Sequence, residues 1–391
     1  MPYESQPTSD RSPRRHCQPT PTVAVAGAHG KTSVATLLSA VFAHGNQLFG
    51  LKTTRCERDG AESRPVAGAI GPGAIDRWRK RCDENDCDIA VAEAPAGDIA
   101  DGEFSRIGLV GACLTGLRCE RTRRFPSVAM HRHAIEAITA ETHREGFVIT
   151  NADDPACVRL ASTADRPVLT FGLDKPADFN ATAVENHSGG QVFVATHRGE
   201  SAAISSAIPG EAHRRNCLAA VATAVACGVD FLDAVRGAES VRRLPGVMQS
   251  LTAGQNFPIY FDSARSAEPL RLALRAMRPM ANKRVLSVVT LDDSPACVET
   301  LSVARSMSDR LFVIAQSESL LTASVLEQLG EGATLVEDRL TAIALAVGLA
   351  DEGDAVLVAG AAPGDEEVER AVAADFVERR LQQSDDQNLA I

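Results

Sequence analysis

Gly27-Ala-His-Gly-Lys-Thr-Ser33 is the stretch of this chain whose residue types and spacing could do chemistry. Gly27 and Gly30 frame a tight turn where backbone N–H groups can approach phosphate oxygens, and the helix that follows adds partial positive charge. Lys31 supplies a full charge for the outer phosphates, and a hydroxyl beside it, Thr32 or Ser33, can ligate Mg²⁺. The commoner, longer phosphate loop would need glycine at position 25, where Val25 stands. The shorter form leaves only Ala28 and His29 between the glycines. In outline this is a nucleoside triphosphate site, with ATP as the first candidate.

Such a loop works only between a strand and a helix. Val23 to Ala26 reads as a buried strand, and residues 32–44 carry a helical apolar pattern. Residues 88–92, 109–114 and 146–150 read as further apolar strands, with a helix predicted over 129–144. Continuous apolar strands separated by helices imply a mostly parallel sheet covered on both faces. A more polar, strand-rich stretch follows over 167–206, then alanine-dominated helices over 212–227 and 231–241. Pro245-Gly246 interrupts the chain, and the α/β alternation then restarts. Strands are expected at 259–261, 284–290, 311–315, 334–336 and 355–359, with a last helix over 366–381. That is a second, Rossmann-like α/β domain. The expected division is a tail over 1–20, an ATP-binding domain over 21–244, the second domain over 245–382 and a tail over 383–391.

The 391 residues suffice for two or three separate cores. A formal net charge of −11, a pI near 5.4 and an aromatic content of 4% argue against nucleic acid as a partner. No apolar run reaches the roughly 18 residues of a membrane span, and no apolar signal core opens the chain, so a cytoplasmic location is expected. The ten cysteines are scattered without a Cys-x-x-Cys pair and read as small core or surface thiols. His131 and His133 read as a solvated helix face rather than a metal site.

The shortened loop resembles the phosphate loop of the Mur ligase family, Gly-Thr-[Asn/His/Lys]-Gly-Lys-[Thr/Ser]. Further segments match the family in order. Glu93 ends a strand where family members hold Mg²⁺ with a glutamate; with the Thr32 hydroxyl and phosphates it would complete a hard oxygen set. Asn151-Ala-Asp-Asp-Pro155 is similar to the family's Asn-Ala-Asp-Asp-Pro. The segment from Gly210 to Ala220 resembles the one whose asparagines face adenine, with Asn216 at the second position and His213 at the first. Leu244-Pro-Gly-Val-Met248 resembles the Pro-Gly-Arg-Met hinge, with Val247 for arginine. Phe261-Asp-Ser-Ala-Arg265 looks like the opening of the C-terminal domain. There Asp262 would contact the ribose and Arg265 would bring positive charge to the phosphates. Residues 353–360 resemble the late strand Gly-Asp-x-Val-Leu-[Val/Ile]-Ala-Gly. The resemblance spans residues 22–380 and is nearest to the UDP-N-acetylmuramoyl-tripeptide synthetase type and to the ligase half of cyanophycin synthetase.

The resemblance implies a Mur-ligase-like central ATP-binding domain, a Rossmann-like C-terminal domain and ATP-dependent amide formation through an acyl phosphate. Its substrates would be a small-molecule carboxylate, a UDP-sugar peptide among the candidates, and an amine. Cofactor contacts fall on Gly27, Ala28, His29, Gly30, Lys31, Thr32, Ser33, Asn216 and Asp262, the Mg²⁺ ligands on Thr32 and Glu93, and the catalytic cations on Lys31 and Arg265. The chain departs from the family in several places. Thr115-Gly-Leu-Arg-Cys-Glu-Arg121 replaces Thr-Asn-x-x-x-Asp-His, and His133-Ala-Ile-Glu136 lacks the lysine many members carbamoylate. The Asp-Asn-Pro-Arg substrate loop and the late Lys-Gly-His-Glu have no match. Because the phosphate loop starts almost at once, the N-terminal domain that grips the UDP-sugar is not seen, and a partner protein supplying it is one expectation. These departures keep a second reading open: a relative that binds ATP without ligating and serves as a regulatory or partner subunit. A small-molecule kinase or other NTPase is a third, which leaves the later segments as coincidences.

Overall fold

The computed structural model describes residues 19–60, 62–66, 72–187, 189–320, 325, 327, 329–330, 332–361 and 365–389. The first unit runs β1 (Thr22–Ala26), α1 (Lys31–His44), β2 (Phe49–Lys52), β3 (Cys56–Asp59), β4 (Ser63–Pro65), α2 (Ala74–Glu84), β5 (Ile89–Ala94), α3 (Ala96–Ala100) and β6 (Leu109–Leu114). It continues through α4 (Val128–Glu136), β7 (Thr142–Asn151), α5 (Pro155–Thr163), β8 (Val168–Gly172), β9 (Phe179–His187), β10 (Gly190–His197), β11 (Glu200–Ser206), α6 (Glu211–Ala226) and α7 (Phe231–Glu239). Its strands form one sheet in the order β11-β10-β9-β8-β7-β6-β1-β5-β2-β3-β4. The interior pairs from β9 to β2 are parallel, and the hairpins at either edge are antiparallel.

β1 shows why this sequence makes a two-faced sheet. All five of its residues are fully buried, and alternate side chains go to opposite cores. Val23 and Val25 join α1, α6 and α7, while Ala24 and Ala26 pack with Ile75 and Trp78 of α2 and Ile135 of α4. Small alanines on the second face let the Trp78 indole lie close to the sheet, and its Nε1 donates to the Arg58 carbonyl at 2.7 Å.

The second unit has β12 (Gln249–Leu251), β13 (Ile259–Asp262), α8 (Ala267–Met277), β14 (Val285–Leu291), α9 (Cys297–Met307), β15 (Arg310–Ala315), β16 (Ala333–Leu335), α10 (Arg339–Leu349), β17 (Ala355–Ala359) and α11 (Glu366–Leu389). Its sheet order is β12-β13-β17-β14-β15-β16, parallel except for β12. α10 and α11 cover one face with Ile343, Val347 and Val377. α8 covers the other and continues into the core of the first unit.

The fold is the expected one, a mostly parallel α/β unit followed by a Rossmann-like unit. Some elements differ from the sequence reading. The helix expected over 129–144 stops at Glu136, and a short 3₁₀ turn leads straight into β7 at Thr142. Tertiary pairing decides this: buried Thr142 aligns with Leu109 on β6, and its carbonyl accepts from Arg166 Nε at 2.9 Å. The short helix α3, between β5 and β6, was not among the expected elements.

Candidate functional site

The carboxyl ends of β1, β5, β6 and β7 open into a cavity of about 390 Å³ whose far wall comes from the second unit. Crevices of this kind are where open parallel sheets bind ligands. Ala28, His29, Gly30, Lys31, Thr32, Ser33, Glu93, Asn216, Asp262 and Arg265 all line it, and Gly27 stands just behind.

β1 leaves the sheet at Gly27, whose φ is +141°. A Cβ there would lie 2.1 Å from Thr115 Oγ1. Gly30 has φ +83°, and its Cβ would lie 2.6 Å from Asn216 Oδ1. Both glycines are therefore dictated by conformation and by space. The loop is pinned from β6: Ala28 N donates to the Gly116 carbonyl at 2.9 Å, and the Thr115 hydroxyl donates to the His29 carbonyl. Lys31 Nζ folds back over the loop and donates to the Gly27 and Ala28 carbonyls at 3.0 and 3.2 Å. Burial pushes its pKa down, opposed by the charge of Glu93. An incoming phosphate would replace those carbonyls and oppose that downward shift by favouring the ammonium. Burial and the neighbouring Lys31 push His29 down to about 4, so the imidazole is neutral, and its buried Nε2 has no partner among the described residues.

Glu93, only 3% exposed, is the last-but-one residue of β5, beside the loop. Its Oε2 accepts from Thr32 Oγ1 at 2.9 Å, Thr54 N at 3.0 Å and Thr54 Oγ1 at 3.2 Å. The two oxygens that the sequence pairs as metal ligands thus meet directly. Thr54, in the turn between β2 and β3, is a site neighbour the sequence reading missed; its only signal was Thr53-Thr54 just after a short apolar run. Asn151-Ala-Asp-Asp-Pro155 serves as a brace. Asp154 accepts from Leu117 N at 2.6 Å and from Ala156 N at 2.9 Å, so it clamps the β6 loop and caps α5. Asp153 gathers three amides of residues 173–175.

On α6, His213 is 2% exposed, burial holds its pKa at about 4, and its Nδ1 has no partner among the described residues. Its Nε2 lies 3.4 Å from Cys217 Sγ.

The units join at a bend where Leu244 bridges to Val247 and Ser263 N donates to the Gly246 carbonyl at 2.8 Å. Asp262, at the end of β13, accepts from Met248 N and Ala264 N, each at 2.9 Å. Burial pushes its carboxyl up to about 6 despite those two amides. Arg265 is half-buried and makes no hydrogen bond or ion pair among the described residues. Polar contacts cross the cleft: Glu120 Oε1 accepts from Glu268 N in the first turn of α8 at 3.0 Å, and Arg55 meets Glu366 at 3.5 Å.

The shortened glycine loop, the glutamate at the neighbouring strand end and the second doubly wound unit form one pattern, and comparison with known proteins gives it a family. Residues 25–224 match the Mur ligase middle domain, and residues 248–362 match the Mur ligase glutamate ligase domain. The chain belongs to the Mur ligase family. The UDP-N-acetylmuramoyl-L-alanyl-D-glutamate–2,6-diaminopimelate ligase of Geobacillus kaustophilus is 26% identical over 357 residues, covering 86% of this chain and 73% of its own. The fold is shared with MurF from Acinetobacter baumannii, with a TM-score of 0.74 and 17% identity over 91% of this chain and 77% of that one. It is shared also with Mycobacterium tuberculosis folylpolyglutamate synthase complexed with ADP and AMPPCP, with a TM-score of 0.68 and 17% identity over 92% and 90% of the two chains. Among the described residues no helix is long and apolar enough to cross a membrane, and no three His, Cys, Asp or Glu side chains cluster as a metal site.

Proposed function

We propose that this Mur ligase joins a carboxylate to an amino acid or amine at the expense of ATP, in a step of the cell-wall precursor kind. One observation carries the proposal: Lys31 and the Thr32–Glu93 pair face Asp262 and Arg265 across a single cleft. The names of the curated relatives, which are ligases of UDP-N-acetylmuramoyl peptides, support the substrate class. The same support favours ligation over the non-ligating alternative. We take the hinge at residues 244–248 as the boundary between an ATP-binding domain over 21–244 and a C-terminal domain over 245–382.

The substrate carboxylate attacks the γ-phosphorus, the bond to the β-phosphate oxygen breaks, and ADP leaves an acyl phosphate. The amine then attacks the carbonyl carbon; phosphate departs with one former carboxylate oxygen, and the amine gives up a proton. Phosphoryl transfer asks a protein mainly for positioning and charge. Lys31 neutralises the terminal phosphoryl group, the 27–33 turn with Ala28, His29 and Ser33 cradles the phosphates, and Asn216, whose side chain stands beside Gly30, is the residue that the family pattern turns to adenine. Asp262 accepts from the ribose, and Arg265 adds positive charge from the C-terminal side. Domain closure about Pro245-Gly246 excludes the water that would hydrolyse the acyl phosphate.

Mg²⁺ fits the donors present. Thr32 and Glu93 are hard oxygens, and Glu93 Oε1 accepts no hydrogen bond among the described residues. These residues would hold the ion, which when bound neutralises phosphate charge.

The test is phosphate release from ATP across a panel of UDP-N-acetylmuramoyl peptides, other carboxylates and amino acids. Turnover should require ATP, a carboxylate and an amine together and should vanish in Lys31→Ala. Turnover that survives Lys31→Ala would remove the nucleotide from this loop. ATP binding without turnover on any pair would favour the non-ligating reading.

A further inference from the structure

Arg55 lies in the turn between β2 and β3, next to Thr54, whose amide and hydroxyl hold Glu93. It lines the same cavity as Lys31. Its side chain reaches the domain boundary: a Cβ on Gly246 would lie 2.9 Å from Arg55 Nη2. The guanidinium therefore occupies the hinge, one residue from Val247, where the family pattern has an arginine and this chain does not. Its acidic partner there is Glu366 at the start of α11, at 3.5 Å, the far limit of a hydrogen bond. Nε and Nη2 donate to nothing among the described residues. The side chain of Arg55 is 33% exposed.

We infer that Arg55 supplies, from the central domain, the hinge cation that contacts the terminal phosphoryl group of ATP. The inference rests on the nucleotide site proposed above and adds a residue to it that neither the sequence motifs nor the family pattern names. The charge inventory of the cleft supports it. Arg215 already pairs with Glu211, Arg118 stands 3.7 Å from Glu268 with its side chain 64% exposed, and Arg275 at the rim is exposed, whereas the Arg55 side chain is 33% exposed. Lys31 approaches from the loop and Arg265 from the C-terminal domain, and Arg55 stands next to Thr54, which holds Glu93. A guanidinium offers paired donors that match two phosphoryl oxygens, whereas its long contact with Glu366 uses one nitrogen. Exchange of Glu366 for phosphate would tie occupation of the γ-position to the domain boundary.

The experiment is calorimetric titration of wild type, Arg55→Ala, Arg55→Lys and Glu366→Gln with ADP and with AMP-PCP, each with Mg²⁺. Arg55→Ala should weaken AMP-PCP at least tenfold and leave ADP within twofold; Arg55→Lys should recover part of the loss. Glu366→Gln, which removes the present partner and keeps the guanidinium, should leave AMP-PCP binding equal or tighter. Equal losses for both nucleotides in Arg55→Ala, no loss for either, or an AMP-PCP loss in Glu366→Gln matching that of Arg55→Ala would each overturn the assignment. Wild-type protein that binds neither nucleotide would instead remove the nucleotide site itself.

Discussion

Gly30→Ala is the perturbation whose consequences the structure specifies most fully. The residue sits at φ +83°, a conformation that costs an L-residue roughly 1–2 kcal/mol. The new Cβ would also meet Asn216 Oδ1 at 2.6 Å, closer than real contacts allow. Asn216 is a side-chain end and can turn away, so relief costs about 0.5–1.5 kcal/mol for leaving its rotamer. The total is about 1.5–3.5 kcal/mol of stability. The two parts separate in a double-mutant cycle read by denaturant unfolding of the central-domain transition. In an Asn216→Ala background the clash is gone, and Gly30→Ala should cost only the conformational part. Nucleotide affinity should fall in Gly30→Ala and should not return in the double variant, because Asn216 is then absent. An equal stability cost in both backgrounds would refute the geometric argument; no cost in either would refute the left-handed conformation as well.

Further consequences are as direct. Asp262 has its carboxyl pKa raised to about 6, so the charged form is the one burial disfavours. Nucleotide affinity should weaken as pH falls through 6, because the protonated acid accepts less well from the ribose, and this inflection should disappear from the binding profile of Asp262→Asn. Buried neutral His213 has the opposite linkage to stability: its pKa is depressed to about 4, so the unfolded chain takes up the proton first as pH drops below the usual value near 6.5. Acidification from pH 7 to 4.5 should therefore cost wild type about 2–3 kcal/mol more than His213→Leu, measured by urea unfolding at both pH values. In the C-terminal domain Arg339 pairs with Glu369, which is 2% exposed, and also donates to the Ala359 carbonyl at 2.8 Å. Arg339→Ala strands that carboxylate and should cost about 3–5 kcal/mol in the C-terminal transition, whereas Arg339→Met with Glu369→Leu should recover most of it.

The nucleotide half of the site was legible because its chemistry is written in adjacent residues. Gly27 to Ser33 must be consecutive to wrap a phosphate, and Glu93 is legible as the acid that terminates an apolar strand. The second unit was legible because its strands β13, β14, β15 and β17 are continuous apolar runs. The hairpin from β2 to β4 was not. Its residues Cys-Glu-Arg-Asp at 56–59 have no apolar alternation, and they are held by a half-buried charge network instead. Lys52 pairs with Glu57, and Arg81 on α2 pairs with both Glu57 and Asp59. Those partners lie 5, 24 and 22 residues apart, beyond any local pattern. Thr54 and Arg55 were missed for the same reason, since the turn that carries them belongs to that hairpin. The Asn151–Pro155 segment was legible as a landmark, yet its work is mechanical: Asp154 fixes the loop against which the phosphate turn rests.

Acyl-phosphate chemistry at the cleft is tested most directly by an isotope. The carboxylate of the productive acceptor is labelled with ¹⁸O on both oxygens, and the products of one turnover with ATP and amine are read by mass spectrometry. One labelled oxygen should appear in the released phosphate and the other in the new amide carbonyl. Label in AMP or in water, with none in phosphate, would contradict attack on the γ-phosphorus and the role given to Lys31.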